Sequence, residues 1–303
     1  MKEGRKGSRY GRACNYAPLP MLPMSRWLLA SVLALFAAAC ATGVESDSPD
    51  DGVVGDGNEN PGGSGGGGGG TGSTDGGVGP DGGTSGCPAG MVKVPASAGA
   101  YCIDATEVTN EAYAKFLATS PSTAGQPAGC AWNDSFVPGT WPAATGEEKH
   151  PVTEVDWCDA RAYCAWAGKR LCGRIGGGNL PFADYKDPKR SEWFNACSAE
   201  GTRDYPYAGI YDREACNGVD KEINGTVEVG SLETCEGSVP GLFDMSGNVL
   251  EWEDSCDGET GDKDQCRVRG GSYGDNNTTL RCDYPHTVAR STKLPRIGFR
   301  CCR

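Results

Sequence analysis

Cysteine is the residue type with the most chemical potential in this sequence, because the chain contains 16 cysteines but only two histidines. Fourteen of the cysteines lie from Cys87 onward, and no two of them form a Cys-x-x-Cys pair. That spacing does not favour zinc, and His150 and His286 alone give little basis for a Ser-His-Asp or Cys-His site. An even number of cysteines in a chain that leaves the cytoplasm predicts a disulfide framework instead.

The first forty residues predict export. Residues 27–39 are mostly apolar, and this run is too short to cross a bilayer core of about 30 Å but suits the hydrophobic region of a signal peptide. Small residues precede Cys40, as in bacterial lipoprotein cleavage sites, so residues 1–40 are interpreted as a signal segment with lipid attachment at Cys40. Met24 is an alternative start, and an ordinary secretory signal with an incidental Cys40 is the alternative interpretation.

The composition changes twice along the rest of the chain. Residues 41–86 contain 19 glycines and eight acidic residues but no Lys or Arg, so they cannot bury enough apolar surface to fold and are predicted to form a disordered tether. Residues 87–303 are long enough for a single domain with its own core. The net charge of −12 disfavours nucleic acid and anionic membrane surfaces as partners, leaving membrane contact to the lipid anchor.

Within the domain, strand-like and helix-capping residues predict a mixed fold. Residues 91–94 and 100–104 have the apolar pattern of short edge strands. Thr109, Asp156 and Asp187 are each placed to cap a helix, and Asp187 is followed by a proline suited to a first turn. Because periodicity fades after residue 200 into Gly-, Asn- and Asp-rich turns, the pattern predicts an α+β domain.

Three long motifs carry a family resemblance. Residues 150–171 read HPVTEVDWCDARAYCAWAGKRL, residues 241–252 read GLFDMSGNVLEW, and residues 269–301 begin RGGSYGDNNTTLRC and end IGFRC. With the segment EVTN at residues 107–110, they closely resemble the formylglycine-generating enzyme family, also called the sulfatase-modifying factor family. The resemblance implies a compact, C-type-lectin-like α+β fold with little regular secondary structure.

The sequence departs from the family pattern after GKRL. Residues 172–190 are inserted before Ser191, where the family usually continues directly into its next helix. The insertion contains three successive glycines at residues 176–178, and it is therefore predicted to be a surface loop.

The resemblance also implies part of the disulfide framework. In the family's enzymes, the cysteine of the AYC helix pairs with that of the terminal GFRC, and the cysteine ending the EW helix pairs with one downstream of GGS. Carried over, these pairs are Cys164–Cys301 and Cys197–Cys282. Short loops make three further pairs plausible: Cys87–Cys102, Cys216–Cys235 and Cys256–Cys266. Four cysteines are left to pair among themselves in an order that stays open: Cys130, Cys158, Cys172 and Cys302.

The family's oxidation site differs here. Its oxidases hold copper(I) between two cysteines a few residues after the GGS motif, whereas residues 274–280 contain no cysteine. Asp275 and Leu280 occupy the corresponding region, and a carboxylate is a hard ligand while leucine is none. No catalytic residue is assigned, and copper is not expected.

Calcium is the cofactor that the resemblance supports, in a structural role. Four residues match the family's ligands and offer hard oxygen atoms: Asp244, the carbonyls of Gly247 and Val249, and the side chain of Glu251. A second family site matches only Asn217 and the carbonyl of Gly218, because its downstream aspartate has no clear equivalent. The alternative is that Asp244 and Asn248 merely hold a turn through side-chain hydrogen bonds.

Together these features predict a lipid-anchored, extracytoplasmic module of a bacterial cell envelope, in the periplasm or at the cell surface, with a non-oxidase binding or structural role. Its expected partners are a protein, a peptide or a glycan. The alternative is an oxidase that converts a substrate cysteine to formylglycine with non-standard metal ligands. The two differ in free thiols, since an oxidase needs at least two reduced cysteines near Ser272.

Overall fold

The computed structural model describes residues 86–303, so the predicted signal segment, Cys40 and the tether lie outside the described residues. The described part of the chain contains three α-helices, here named α1 to α3: Asn110–Ala118, Trp157–Trp166 and Glu192–Ser198. A search of the same residues for a helix long and apolar enough to cross a membrane finds none.

Eight short strands in residues 86–303 form two four-stranded sheets. In chain order, β1 to β8 are Met91–Val94, Tyr101–Asp104, Arg170–Leu171, Leu250–Cys256, Gln265–Arg269, Thr287–Ala289, Ile297–Gly298 and Cys301–Cys302. The first sheet has the order β1-β2-β8-β3 and the second has the order β6-β5-β4-β7. Because the remaining chain runs in turns and loops, the domain is α+β with little regular secondary structure, which confirms the predicted fold class.

Two of the three predicted helix starts are correct. The Thr109 hydroxyl accepts a hydrogen bond from the Ala112 N–H at the start of α1. Asp156 and Asp159 form a reciprocal capping box at the start of α2. Each cap satisfies an amide that the first turn of a helix leaves without a backbone partner.

The third predicted start, at Asp187, is wrong. Helix α3 begins at Glu192, and the Ser191 hydroxyl caps it by accepting from the Phe194 N–H at 3.0 Å. Ser191 has an extended backbone and forms an isolated β-bridge with Arg174. That distant pairing prevents the helix from starting earlier, and Asp187 instead closes a local turn on the Lys189 N–H.

The inserted residues 172–190 are only partly a surface loop. Cys172 and Leu180 are fully buried. Two backbone hydrogen bonds join the insertion to strand β4, from the Leu180 N–H to the Asp254 carbonyl and from the Asp254 N–H to the Cys172 carbonyl. The insertion is therefore packed against the second sheet at Cys172 and Leu180, whereas its glycine-rich tip and several later residues are exposed.

The core of the domain combines aromatic packing with disulfides. Tyr113 of α1 stacks on Tyr163 of α2 with ring centroids 5.4 Å apart, and Phe299 packs edge-on against both rings. Such contacts bury large apolar side chains between the helices and the C-terminal strands.

All fourteen cysteines of the described residues form disulfides. The structure contains the two pairs that the resemblance implies, Cys164–Cys301 and Cys197–Cys282. It contains the three short-loop pairs as well. The four unassigned cysteines are joined as Cys130–Cys158 and Cys172–Cys302. Since successive strand residues point to opposite faces, β8 is bonded through Cys301 to α2 on one side and through Cys302 to the insertion on the other.

Candidate functional site

The segment that matches the family's calcium loop is a tight turn leading into β4. Asp244 and Asn248 both have a φ of 59°, and Gly247 has a φ of 78°, all in the left-handed region. A Cβ atom on Gly247 would lie 2.4 Å from the Asn217 carbonyl oxygen, to which the Asn248 N–H donates at 2.8 Å. The close approach requires glycine and places Asn217, a residue of the second expected site, directly beside the first.

The turn belongs to a buried cluster that we call the arginine cluster. It consists of three carboxyl groups around one guanidinium: Glu107, Asp244, Glu251 and Arg300. All four residues are almost fully buried, and Arg300 donates to both carboxylate oxygens of Glu251 at 2.7 Å. Burial raises the pKa of Glu107 and of Asp244, and the proximity of Asp244 raises the pKa of Glu107 further.

The arginine cluster fits a hard cation in part. Glu107 Oε2 and Asn217 Oδ1 are buried and have no hydrogen-bond partner, so both are free oxygen ligands. Glu251 is less available, because two hydrogen bonds from Arg300 and one from Trp193 Nε1 occupy three of its roughly four lone-pair positions. A search of residues 86–303 for three or more His, Cys, Asp or Glu side chains grouped around a metal position finds none.

The second expected calcium site is partly occupied by protein hydrogen bonds. The Asn217 amide donates to the Gly225 carbonyl and to Asn248 Oδ1. The Gly218 carbonyl accepts from the Lys221 N–H in a short turn. Of this pair, only Asn217 Oδ1 is without a partner. The Asn217 amide is linked to the arginine cluster through Asn248, whose own amide donates to Glu107 Oε1.

The GGS loop forms a closed turn where the family's oxidases hold copper. The N–H and the hydroxyl of Ser272 both donate to Asp275 Oδ2, at 2.9 and 2.6 Å. Leu280 is 1 % exposed, and a Cβ on Gly218 would lie 2.4 Å from its Cδ1. Asp275 thus closes the turn and Leu280 fills the core. Because every cysteine of residues 86–303 is in a disulfide, the loop offers no thiolate to a soft metal.

A groove borders the same loop through Tyr273, the residue that follows Ser272. Its cavity has a volume of about 250 Å³, and its lining includes Asn110, Glu147, Glu154, Thr226, Tyr273 and Pro295. None of the described residues lining it is basic. We call this cavity the Tyr273 groove.

Glu154 is the most constrained residue of the Tyr273 groove. Its φ of 56° lies in the left-handed region, where a non-glycine residue costs free energy. Its Oε1 accepts from the Thr140 hydroxyl at 2.9 Å, and its N–H donates to the Leu294 carbonyl at 3.1 Å. These bonds hold a half-buried carboxylate at the edge of the groove.

The fold and this site define a disulfide-rich α+β domain in which a closed Ser272 turn stands beside an acidic groove. The family model described as the sulfatase-modifying factor enzyme 1-like domain matches residues 71–303. The chain therefore belongs to that family, which confirms the resemblance drawn from its motifs.

Three relatives of this chain in the family have different names. The formylglycine-generating enzyme of Streptomyces coelicolor is 30% identical over 187 residues, covering 52% of this chain and 54% of the relative. The inactive C-alpha-formylglycine-generating enzyme 2 of Bos taurus is 30% identical over 165 residues, covering 50% and 49%. The serine/threonine-protein kinase Pkn1 of Chlamydia trachomatis is 29% identical over 175 residues, covering 52% and 25%. The chain thus spans about half or less of the length of these relatives.

Sequence reasoning missed two members of the site. Glu107 lies in the EVTN segment and Arg300 in the terminal GFRC, so both were inside quoted motifs but were not assigned a role. No local signal shows that residues 193 positions apart in the sequence meet at one buried cluster.

Proposed function

We propose that this chain is an exported, lipid-anchored member of the family that acts as a non-oxidase binding module at a bacterial cell envelope. The observation that carries the proposal is the closed turn of Ser272 and Asp275, combined with the pairing of every cysteine in residues 86–303. Copper(I) prefers thiolate ligands, and this loop presents a hydrogen-bonded carboxylate instead.

The ligand proposed for the Tyr273 groove is an extended peptide with a basic side chain. Asn110, Thr226 and Tyr273 offer polar groups for a peptide backbone, and the carboxylates of Glu147 and Glu154 offer a counter-charge for Lys or Arg. The family's enzymes bind an extended peptide in a groove of this fold, so the module retains binding while lacking the copper ligands.

The redox state and the relatives' names support the same proposal. Seven disulfides in one domain are typical of proteins in an oxidising compartment. The relatives include a formylglycine-generating enzyme, an inactive one and a protein kinase, so family membership alone does not fix the activity.

We further propose that calcium occupies the arginine cluster in a structural role. Asp244, Glu107 Oε2 and Asn217 Oδ1 supply hard oxygen ligands, and Glu251 adds one remaining lone-pair position. The cation would balance the surplus negative charge of the cluster and fix the turn before β4.

The first experiment counts free thiols and bound metals on the full-length chain, by alkylation mass spectrometry and elemental analysis. We expect no alkylated cysteine in residues 87–303, bound calcium and no uptake of copper(I). Two alkylated cysteines together with tight copper(I) binding would instead support the alternative oxidase.

A separate variant tests the anchor. We expect Cys40→Ser to move the protein from the membrane fraction to the soluble fraction.

The second experiment tests the groove with a library of extended peptides that differ in charge. We expect basic peptides to bind, and the Glu154→Gln variant to bind them at least about tenfold more weakly. Glu233→Gln is the matched control, because Glu233 is exposed and does not line the groove. Equal weakening by both variants, or a preference for acidic peptides, would contradict the proposed ligand.

A further inference from the structure

A second cavity lies between α2, the inserted residues and the end of β4. Its volume is about 310 Å³, which is near the lower end of the range for small-molecule sites. None of its lining residues belongs to the Tyr273 groove. Gly178 and Asn179 form part of its wall, so the insertion that sets this chain apart from the family pattern also builds this cavity.

One end of the cavity carries Arg161, Asn179 and Asp254. The insertion is fixed there by close backbone contact, since a Cβ on Gly173 would lie 2.5 Å from the Gly178 carbonyl oxygen and 3.1 Å from Asp254 Cβ. Burial raises the pKa of Asp254, and the Arg161 guanidinium opposes that rise. This end therefore pairs one carboxyl group with one exposed guanidinium.

The other end carries Arg290 and Glu259. Arg290 is only 3% exposed, and its guanidinium lies 4.9 Å from the ring centroid of Trp157. Its Nη2 donates to the Gly258 carbonyl at 2.6 Å and lies 3.4 Å from Asp264 Oδ2, whereas its Nε is buried without an acceptor.

The position of Arg290 depends on a glycine. A Cβ on Gly129 would lie 1.8 Å from Arg290 Nη1, so any larger residue would displace the guanidinium. A guanidinium has five N–H donors in a fixed plane, and Gly258 and Asp264 contact only the Nη2 side. Arg290 is thus a buried, oriented donor at the wall of the cavity.

The lining of the cavity has two guanidinium and two carboxyl groups, so its formal charge is balanced. Asp264, which lies 3.4 Å from Arg290, is not among the lining residues. The planar groups of Arg161, Asn179 and Asp254 can each contact two neighbouring hydroxyls at once. Pro127, Ala128 and Cys256 add apolar wall for the C–H face of a ring.

We propose that this cavity binds one neutral sugar ring of a glycan. Arg161, Arg290 and Asn179 donate hydrogen bonds to hydroxyl oxygens, and Asp254 and Glu259 accept hydrogen bonds from hydroxyl groups. The site is separate from the Tyr273 groove, so the chain has one place for a peptide and another for a carbohydrate.

The test titrates the full-length chain with glucose, galactose, mannose and N-acetylglucosamine, followed by the fluorescence of its tryptophans and by saturation-transfer NMR. We expect at least one of these sugars to bind saturably at about millimolar concentration. Glucuronate and glucosamine serve as the charged counterparts. Failure of all four neutral sugars to bind, or stronger binding of a charged sugar, would overturn the proposal.

Two variants locate the binding. Arg161→Met and Asp254→Asn are each expected to weaken the sugar at least about tenfold, because each removes hydrogen bonds made by a charged group. Arg213→Met is the matched control, since Arg213 is an exposed arginine outside the cavity. Arg161 is itself exposed, so its variant remains informative if Asp254→Asn fails to fold. Unchanged affinity in Arg161→Met would place the sugar elsewhere and overturn the assignment.

Discussion

The arginine cluster and a second group of buried carboxyls solve the same physical problem differently. The second group, here called the lysine cluster, consists of Asp156, Asp159 and Lys293, with Lys293 Nζ 2.8 Å from Asp159 and 3.4 Å from Asp156. Both aspartates of the lysine cluster are fully buried, as are the acids of the arginine cluster. Burying a carboxylate is costly unless a partner or a proton neutralises it.

The lysine cluster is neutralised by a helix end, an amine and a proton. Asp156 accepts from the Asp159 N–H in the first turn of α2, and Asp159 accepts from the N–H of the cap residue Asp156. At this helix end the helix dipole favours negative charge. Burial and the neighbouring Asp156 raise the pKa of Asp159 to about 7, although Lys293 opposes the rise.

Each cluster has a buried carboxylate oxygen without a hydrogen-bond partner, Glu107 Oε2 in the arginine cluster and Asp156 Oδ2 in the lysine cluster. The clusters differ in surplus charge, with three acids for one guanidinium against two acids for one amine. We propose that calcium balances the larger surplus, whereas a proton suffices beside the helix end.

The largest expected effect comes from removing the guanidinium of the arginine cluster. Arg300→Met leaves Glu251 buried without its ion pair, so we expect the free energy of unfolding to fall by about 3–5 kcal/mol. Urea denaturation measures this change in the free energy of unfolding. Arg281→Met is the control, because Arg281 pairs with Asp204 and Asp283 at the surface and should cost at most about 1 kcal/mol. Similar losses in the two variants would contradict the buried role of Arg300.

The next effect separates the clusters by their response to calcium. A cation at a hundredfold excess over its dissociation constant adds about 2.7 kcal/mol to the free energy of unfolding. We expect a chelator to lower the melting temperature of the wild type and to have little effect on Glu107→Gln. Asp159→Asn should keep the full calcium response. If the calcium response disappeared in Asp159→Asn instead, the cation would belong to the lysine cluster, and its proposed place in the arginine cluster would be wrong.

The third effect is a pH dependence that belongs to the lysine cluster. The folded pKa of Asp159, about 7, lies above its ordinary value of 3.8, so the folded state binds the proton more tightly. The stability from this proton is fully present below about pH 4 and is lost as pH rises through about 7.

Because Asp156 and Lys293 share the charge, we expect a loss of about 1–2 kcal/mol between pH 5 and 7. Denaturation at several pH values in constant calcium measures the slope. Asp159→Asn should flatten it, and an unchanged slope in that variant would refute the assignment.

The smallest effect concerns the amine of the lysine cluster. Lys293 is 27% exposed, so Lys293→Met should lower the free energy of unfolding by only about 1 kcal/mol at pH 8. At pH 5 the loss should be smaller still, because Asp159 then carries a proton. A loss as large as that in Arg300→Met would erase the distinction between the two clusters.

Local sequence signals predicted the parts of the fold that local chemistry determines. The caps at Thr109 and Asp156 were correct because each is a hydrogen bond within three residues. The cap at Asp187 failed because the β-bridge between Ser191 and Arg174 decides where α3 begins. At this helix, the bridge to Arg174 outweighed the local preference of Asp187 for a cap position.

The candidate site was predictable only where a motif named its residues. The turn at Asp244 was found, but Glu107 and Arg300 reach it from distant parts of the chain. The pairs Cys130–Cys158 and Cys172–Cys302 could not be assigned for the same reason, since disulfide connectivity follows from tertiary geometry and not from spacing.

Strand β8 has a consequence for the order in which the protein assembles. It lies between β2 and β3 in the first sheet, yet its cysteines bond partners 137 and 130 residues earlier in the chain. At a synthesis rate of about 5–20 residues per second, the partners Cys164 and Cys172 wait on the order of ten seconds for it. During that time the first sheet lacks an inner strand and two early thiols stay open to wrong partners. The bonds from β8 to α2 and to the insertion can therefore close only after β8 has been synthesised.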